Sequence, residues 1–218
     1  MSKNKFMQAG SDNLAQQQSR SFWLRHLHQW HWISSALCLI AMLLFAATGI
    51  TLNHSAQIEA QPVVSKKEGR LPLALLSQLN ALKNTDDAAI PGEVSDWLAH
   101  ELNIKLGDQT PEWSPEEVYI GLPRPGGDAW IRIALDNGEI EYELTSRGWI
   151  AYFNDLHKGR NTGNAWNWFI DAFAVVCLIF CVTGLFLLKM HAGKRPSTWP
   201  VVVFGLVLPL MLALMFIH

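Results

Sequence analysis

The sequence is short of charge, short of cysteine, and without the glycine-rich and nucleophile motifs that mark most soluble enzymes. Charged residues are 17% of the 218, and none falls between Arg25 and Glu59. A helix of about 20 apolar residues spans the hydrocarbon core of a bilayer, so Trp32 to Leu52 reads as a transmembrane helix. A second run, Trp166 to Leu188, is interrupted only by Asp171, and a third, Trp199 to Ile217, carries no charge at all. The three cysteines, Cys38, Cys177 and Cys181, all lie inside these runs. That excludes a disulfide framework for the rest of the chain, and the spacing of the last two is not a C-x-x-C pair, so they read as small buried hydrophobes. No G-x-G-x-x-G stretch is present, which excludes a built-in nicotinamide dehydrogenase. The segment between the first two runs lacks a serine or cysteine nucleophile motif and a metal-binding histidine pair, which makes hydrolysis the weakest option. A net charge of −2 gives no basic field for nucleic acid.

What is present divides the chain into six stretches. Residues 1–21 are polar, with Lys3, Lys5 and Arg20, and no apolar core follows the start, so no cleaved signal peptide is expected. They read as a poorly ordered cytoplasmic tail. Residues 22–54 bring in the first span through tryptophan, histidine and Arg25, residue types favoured at headgroup level. Residues 55–163 hold most of the acids and read as a small α+β domain. Residues 164–190 form the second span, 191–198 a loop, and 199–218 the third span, with a kink expected at Pro209. Lys189, Lys194 and Arg195 make the surroundings of the loop basic, as the tail is. The positive-inside rule then places tail and loop in the cytoplasm and residues 55–163 outside, in the periplasm of a Gram-negative cell. The fold class is therefore an α-helical membrane protein of three transmembrane helices, with a periplasmic α+β domain inserted between helices 1 and 2.

Within that domain Leu71 to Leu82 has helical apolar spacing, and Ser95 is placed to cap a helix over Asp96 to Leu106 that ends at Gly107. Glu117 to Leu122, Ala129 to Leu135 and Glu139 to Leu144 read as strands, with Asp136-Asn137-Gly138 as a hairpin turn. Pro123 to Gly127 makes the turn before the second of them. No internal repeat is evident.

Histidines cluster at the ends of the first two spans. His26, His28 and His31 precede the first and His54 closes it. At about 1.5 Å per residue His28 and His54 stand roughly 39 Å apart along one helix, at opposite faces of a membrane. His157 lies before the second span and His191 after it. A histidine at a helix end is ordinarily an interfacial polar residue, a reading open to His26 and His31; His100 reads as a solvent-facing residue of a domain helix and His218 as the end of the sequence, without a role. The span-end histidines pair by face: His28 or His31 with His191 on the cytoplasmic side, His54 with His157 on the external side. Haem iron takes axial imidazoles, and facing helices build such sites, so two b-type haems fit this pattern, with His28, His54, His157 and His191 on iron and His31 as the alternative to His28. Without C-x-x-C-H, attachment is not covalent. Asp171 is costly inside a span and is a candidate proton carrier or partner of a ligating imidazole. Arg160 is a candidate partner for a haem propionate. Gly49 and Gly184, each after a threonine, give room for close packing.

TGITLNH closing the first span, DNGEIEY on the hairpin, GWIAYFNDLHKGRNTG before the second span and VTGLFLL closing it resemble the PepSY-associated transmembrane proteins, over roughly residues 20–195 and closest to a small three-span subgroup. NDLHKGR is the most specific part. The resemblance implies a PepSY-like fold for residues 55–163. Larger members, which carry more helices, are implicated in iron and siderophore reduction with haems between their helices, while PepSY domains were first named as peptidase-associated modules. Two functions follow. One is an inner-membrane haem protein, either an oxidoreductase or its electron-transfer subunit. It would take electrons from a quinol, a flavin or a cytoplasmic reductase and pass them to a periplasmic acceptor such as ferric iron, a siderophore complex or a flavin-bearing partner. The other is a membrane-anchored regulatory module that binds a periplasmic protein. Three spans wall a cofactor thinly, which makes a homodimer plausible.

Overall fold

In lipid a backbone must satisfy its own hydrogen bonds, and a proline-free, charge-free run does so as an α-helix. The computed structural model describes residues 2–58, 61–83 and 88–217, with the side chains of residues 2–15 and 194 outside that description. Helix α1 runs Ser2–Asn53, α5 Asn164–His191 and α6 Thr198–Phe216. All three are long and apolar enough to cross a membrane. The tail expected to be poorly ordered is instead helical from Ser2. Lysine and glutamine are good helix formers, and extending an established helix avoids the cost of a new nucleus. Pro200 sits in the first turn of α6, where its missing N–H costs nothing, and the helix continues through Pro209. No described residue of α6 is buried, and a helix apolar all round with no protein cover is a lipid-facing one.

The chain divides into two units, residues 1–43 with 171–218, and residues 44–170. The first holds most of α1, most of α5, a 3₁₀ turn at Ala192–Lys194, and α6. The second holds the end of α1 and an antiparallel five-stranded sheet in the order β1-β5-β4-β3-β2. Its strands are β1 Val63–Arg70, β2 Glu112–Trp113, β3 Glu117–Gly121, β4 Gly127–Ala134 and β5 Glu139–Ser146; α2 Leu73–Leu82 and α3 Gly92–Glu101 fall between β1 and β2, and α4 Gly148–Lys158 follows β5. The domain thus reaches into both flanking helices rather than stopping at residues 55 and 163.

Period-2 alternation decides which face is covered. Val118 and Ile120 on β3, Ile131 and Ile133 on β4 and Ile140 on β5 are fully buried, together with Leu79 of α2 and Val94 and Leu98 of α3. The opposite face stays partly open. There Arg132 lies between Glu117 at 3.0 Å and Glu141 at 2.9 Å, and these partners, Glu141 foremost, hold its guanidinium above the usual arginine pKa. Strands β3, β4 and β5 lie where the alternation puts them. β1 and β2 were not foreseen. β1 is a charged edge strand, VVSKKEGR, exposed along nearly its whole length, and edge strands protected by lysine carry no apolar alternation to read. α3 begins three residues before the expected cap: Pro91 occupies the cap position and Ser95 lies inside the helix. It also ends before Gly107, because Asn103 takes the left-handed conformation at φ 53 while the Ile104 N–H turns back to the Leu98 carbonyl at 3.0 Å.

The hairpin at Asp136-Asn137-Gly138 is present, with Gly138 at φ +71. A Cβ there would stand 3.1 Å from the Leu71 carbonyl and 3.3 Å from Leu76. Gly138→Val is expected to lower the domain's stability by roughly 2 kcal/mol, from positive-φ strain and crowding together. Thermal unfolding in detergent checks this; an unchanged midpoint would contradict the turn's role.

Candidate histidine sites

A histidine on a helix has an easy partner, the carbonyl one turn before it. Among the described residues, four histidines take it. The Nδ1–H of His26 donates to Phe22 at 3.0 Å and that of His28 to Leu24 at 2.8 Å. His54 donates to Ile50 at 3.0 Å and His191 to Leu187 at 2.8 Å. These four are satisfied by their own helices.

His31 and His157 behave differently, since each reaches across to another helix. In the first unit, Nδ1 of His31 on α1 donates to Thr183 Oγ1 on α5 at 3.0 Å, with the Phe180 carbonyl at 3.2 Å. The Thr183 hydroxyl donates in turn to the Ile179 carbonyl at 2.7 Å, so it is free to accept from the imidazole. The His31 ring stacks on Phe180 at 4.6 Å, and a Cβ on Gly184 would lie 3.2 Å from its Cε1. In the second unit, Nδ1 of His157 on α4 donates to Thr48 Oγ1 on α1 at 2.8 Å. The Thr48 hydroxyl donates to the Leu44 carbonyl at 2.8 Å. The His157 ring lies 5.0 Å from Phe45, and a Cβ on Gly49 would be 3.6 Å from its Cε1. The Phe180 carbonyl can only accept, so His31 carries its proton on Nδ1 and leaves Nε2 open, and with the Thr48 hydroxyl donating to Leu44 the same tautomer suits His157.

The NDLHKGR stretch holds the second of these sites in place. It forms the end of α4 and its cap. α4 is inverted as a helix: Trp149 is 76% exposed, while Asn154 and Asp155 are 8% and 7% exposed. Asn154 Oδ1 accepts from the Thr51 hydroxyl at 2.8 Å, tying α4 to α1 one turn from Thr48. Asp155 Oδ2 accepts the Gly126 N–H at 2.8 Å, tying α4 to the turn before β4. The Leu156 carbonyl accepts Trp166 Nε1–H at 2.9 Å, and Gly159 at φ +67 ends the helix. The profile of the PepSY_TM-like family matches residues 22–218.

The chain belongs to that family. No curated protein and no solved structure matches it. Membership in the PepSY_TM-like family and three helices of spanning length make it a membrane protein.

Among the residues singled out from the sequence, the structure of this PepSY_TM-like chain brings His28 and His191 together, with ring centroids 5.9 Å apart and planes at 88°. Arg20 joins them there, donating to the Met190 carbonyl at 3.3 Å. It does not bring His54 to His157. His54 is exposed on its own helix end, and the partners of His157 are Thr48 and Phe45. Asp171 is exposed on α5 with no hydrogen bond or ion pair among the described residues, and the Arg160 side chain is likewise exposed. His100 is exposed on α3 as expected, and His218 lies outside the described residues. Sequence reasoning missed Thr48, Thr183, Phe45, Phe180, Asn154 and Asp155 as site residues. The available signal was F-x-x-T-G, present as Phe45-Ala46-Ala47-Thr48-Gly49 and again as Phe180-Cys181-Val182-Thr183-Gly184.

Bare metal is poorly served here. Among the described residues no three of histidine, cysteine, aspartate and glutamate converge. Haem asks for less, because the porphyrin supplies four nitrogens and the protein only one or two imidazoles. A ligating imidazole ordinarily has its other nitrogen bonded to an oxygen acceptor, which both His31 and His157 satisfy. The donor set fits that group. The soluble domain also has an open groove of about 500 Å³, floored by Tyr142 and Leu144 and rimmed by Lys67, Lys105 and Arg124.

Proposed function

We propose that the protein is an inner-membrane carrier of b-type haem that moves electrons across the bilayer to a periplasmic acceptor. The observation that carries this reading is the pair of imidazoles, His31 and His157, each locked on Nδ1 by a second helix and each offering Nε2. When bound, haem would supply a one-electron couple. The chain's own residues do the rest. His28, His31 and His191 offer imidazoles at one site, and His157 at the other. Thr183 and Thr48 fix the tautomer. Arg160, exposed, would pair with a propionate, and Asp171, exposed on α5 and without a hydrogen bond or ion pair among the described residues, would exchange a proton with water. The acceptor is ferric iron, a siderophore complex or a flavin-bearing partner, and the donor a quinol or a cytoplasmic reductase.

Sidedness is part of the proposal. Arg20, donating to the Met190 carbonyl at the end of α5, brings basic tail and basic loop together, which supports a common cytoplasmic location under the positive-inside rule. A cysteine at Ser197 should resist an impermeant label in intact spheroplasts, and one at Asp108 should react. The reverse pattern would overturn the orientation.

Electron passage is tested in proteoliposomes loaded with ferricyanide and given dithionite outside. The haem-loaded protein should bleach the trapped ferricyanide faster than protein-free vesicles do. Equal rates would remove the electron path. The regulatory reading would then stand on the exposed edge of β1 and the cationic groove, features suited to an added strand or an acidic peptide.

A further inference from the structure

The two imidazoles that reach across helices do so into the same local structure, built twice. In each, an F-x-x-T-G segment offers a threonine whose hydroxyl is turned to its own helix carbonyl and whose lone pairs face the histidine. In each, the phenylalanine three residues earlier lies against the imidazole ring. In each, the following glycine leaves the space that the Cε1 edge fills. The histidines come from unrelated places, His31 from α1 and His157 from α4, and the seats from α1 and α5. Chain continuity does not explain the recurrence, because neither seat is near its histidine in sequence. His26, His28, His54 and His191 show the alternative: a bond to the carbonyl of their own preceding turn.

From this we infer that the two F-x-x-T-G segments are a matched pair of imidazole seats, that His31 and His157 are the principal iron ligands, and that Thr48 and Thr183 are positioning residues acting through them. The inference rests on the haem reading and adds to it. It moves the cytoplasmic-side ligand from His28 to His31, and it separates the seated imidazoles from the exposed His28, His54 and His191, which complete or adjust the coordination. The physical role of each threonine is to accept the Nδ1–H. That fixes which nitrogen faces the iron and makes Nε2 a stronger donor, which favours the oxidised metal. Valine keeps the volume of threonine and cannot accept.

The glycines give an independent handle, because the two seats differ in clearance. At Gly184 a Cβ would come within 3.2 Å of His31 Cε1, so the imidazole must shift; at Gly49 the distance is 3.6 Å, an ordinary contact. Gly184→Ala should therefore disturb its site, and Gly49→Ala should not.

The experiment uses the full-length protein in detergent, loaded with haem during growth, and reads haem content, the low-spin ferric EPR signal and the midpoint potential. Thr48→Val and Thr183→Val should each weaken haem retention at one site by about tenfold or more. The haem remaining there should shift to higher potential, a tenfold loss of preference for the oxidised iron being about 59 mV for a one-electron couple. Thr48→Ser and Thr183→Ser, which keep the acceptor, should restore both readings, so a general folding defect would not mimic the result. Haem bound as in wild type in both valine variants, or serine variants as impaired as the valine ones, would overturn the seats while leaving the haem reading intact. A wild-type protein without haem would overturn the haem reading itself.

Discussion

Gly126→Ala should collapse the link between the sheet and α4, whereas Gly107→Ala, also at positive φ, should be mild. Gly126 sits at φ +73, and its Cβ would lie 2.8 Å from the Tyr152 Cα of α4. The neighbour is backbone and cannot swing aside. Strain from the left-handed conformation and forced repacking each cost about 1–3 kcal/mol, so a total of roughly 3 kcal/mol or more is expected. Gly107 at φ +61 meets nothing within 4 Å and should cost only the conformational part, about 1 kcal/mol. The consequence travels further than stability. The Gly126 N–H is what Asp155 accepts, and α4 carries Asn154 and His157 to α1. Gly126→Ala should thus also release His157 from Thr48. Thermal unfolding in detergent, followed by limited proteolysis between β5 and α5, separates the two variants. Equal melting of both would contradict the packing of the turn on α4.

The second large effect concerns the histidines themselves. His31→Ala and His157→Ala are each expected to remove about half of the bound haem, since each would empty one of two sites, and the double variant nearly all of it. His28→Ala, His191→Ala and His54→Ala should keep more haem than the seated variants and show altered ferric spectra, because the Nδ1 hydrogen bonds of those imidazoles run only to their own helices. Haem content measured per chain for the single variants decides this. If His28→Ala or His54→Ala loses haem while His31→Ala and His157→Ala retain it, the seated imidazoles are not the ligands.

The spans were plain in the sequence because an unbroken apolar run has one meaning at that length, and β3 to β5 were plain because Ile131, Ile133 and Ile140 keep the period of a half-buried sheet. The parts that were not plain share a physical cause. β1 is paired through its backbone, and its exposed side chains make polar contacts, Lys66 with Glu143 and Lys67 with the Leu102 carbonyl, so no apolar alternation marks it. α4 reads backwards, since Trp149 and Phe153 are exposed and Asn154 and Asp155 are buried. A rule that puts apolar residues inside cannot find it, and an aromatic face beside a spanning helix is what a membrane interface favours. Of the site, the histidines were visible as residue types at helix ends, and His28 with His191 was found as a pair. NDLHKGR ends α4 and brings His157 to Thr48, a contact that the pairing of His157 with His54 did not include. The threonine-glycine steps were noticed at matching places, but their link to histidines lies in contacts 109 and 152 residues apart, which no local spacing reveals.

The account stands most directly on the reduced-minus-oxidised absorption spectrum of wild-type protein, purified in detergent from cells supplied with a haem precursor. It predicts the sharp α band and shifted Soret band of six-coordinate b-type haem, in proportion to protein. A featureless difference spectrum from well-folded protein would contradict it.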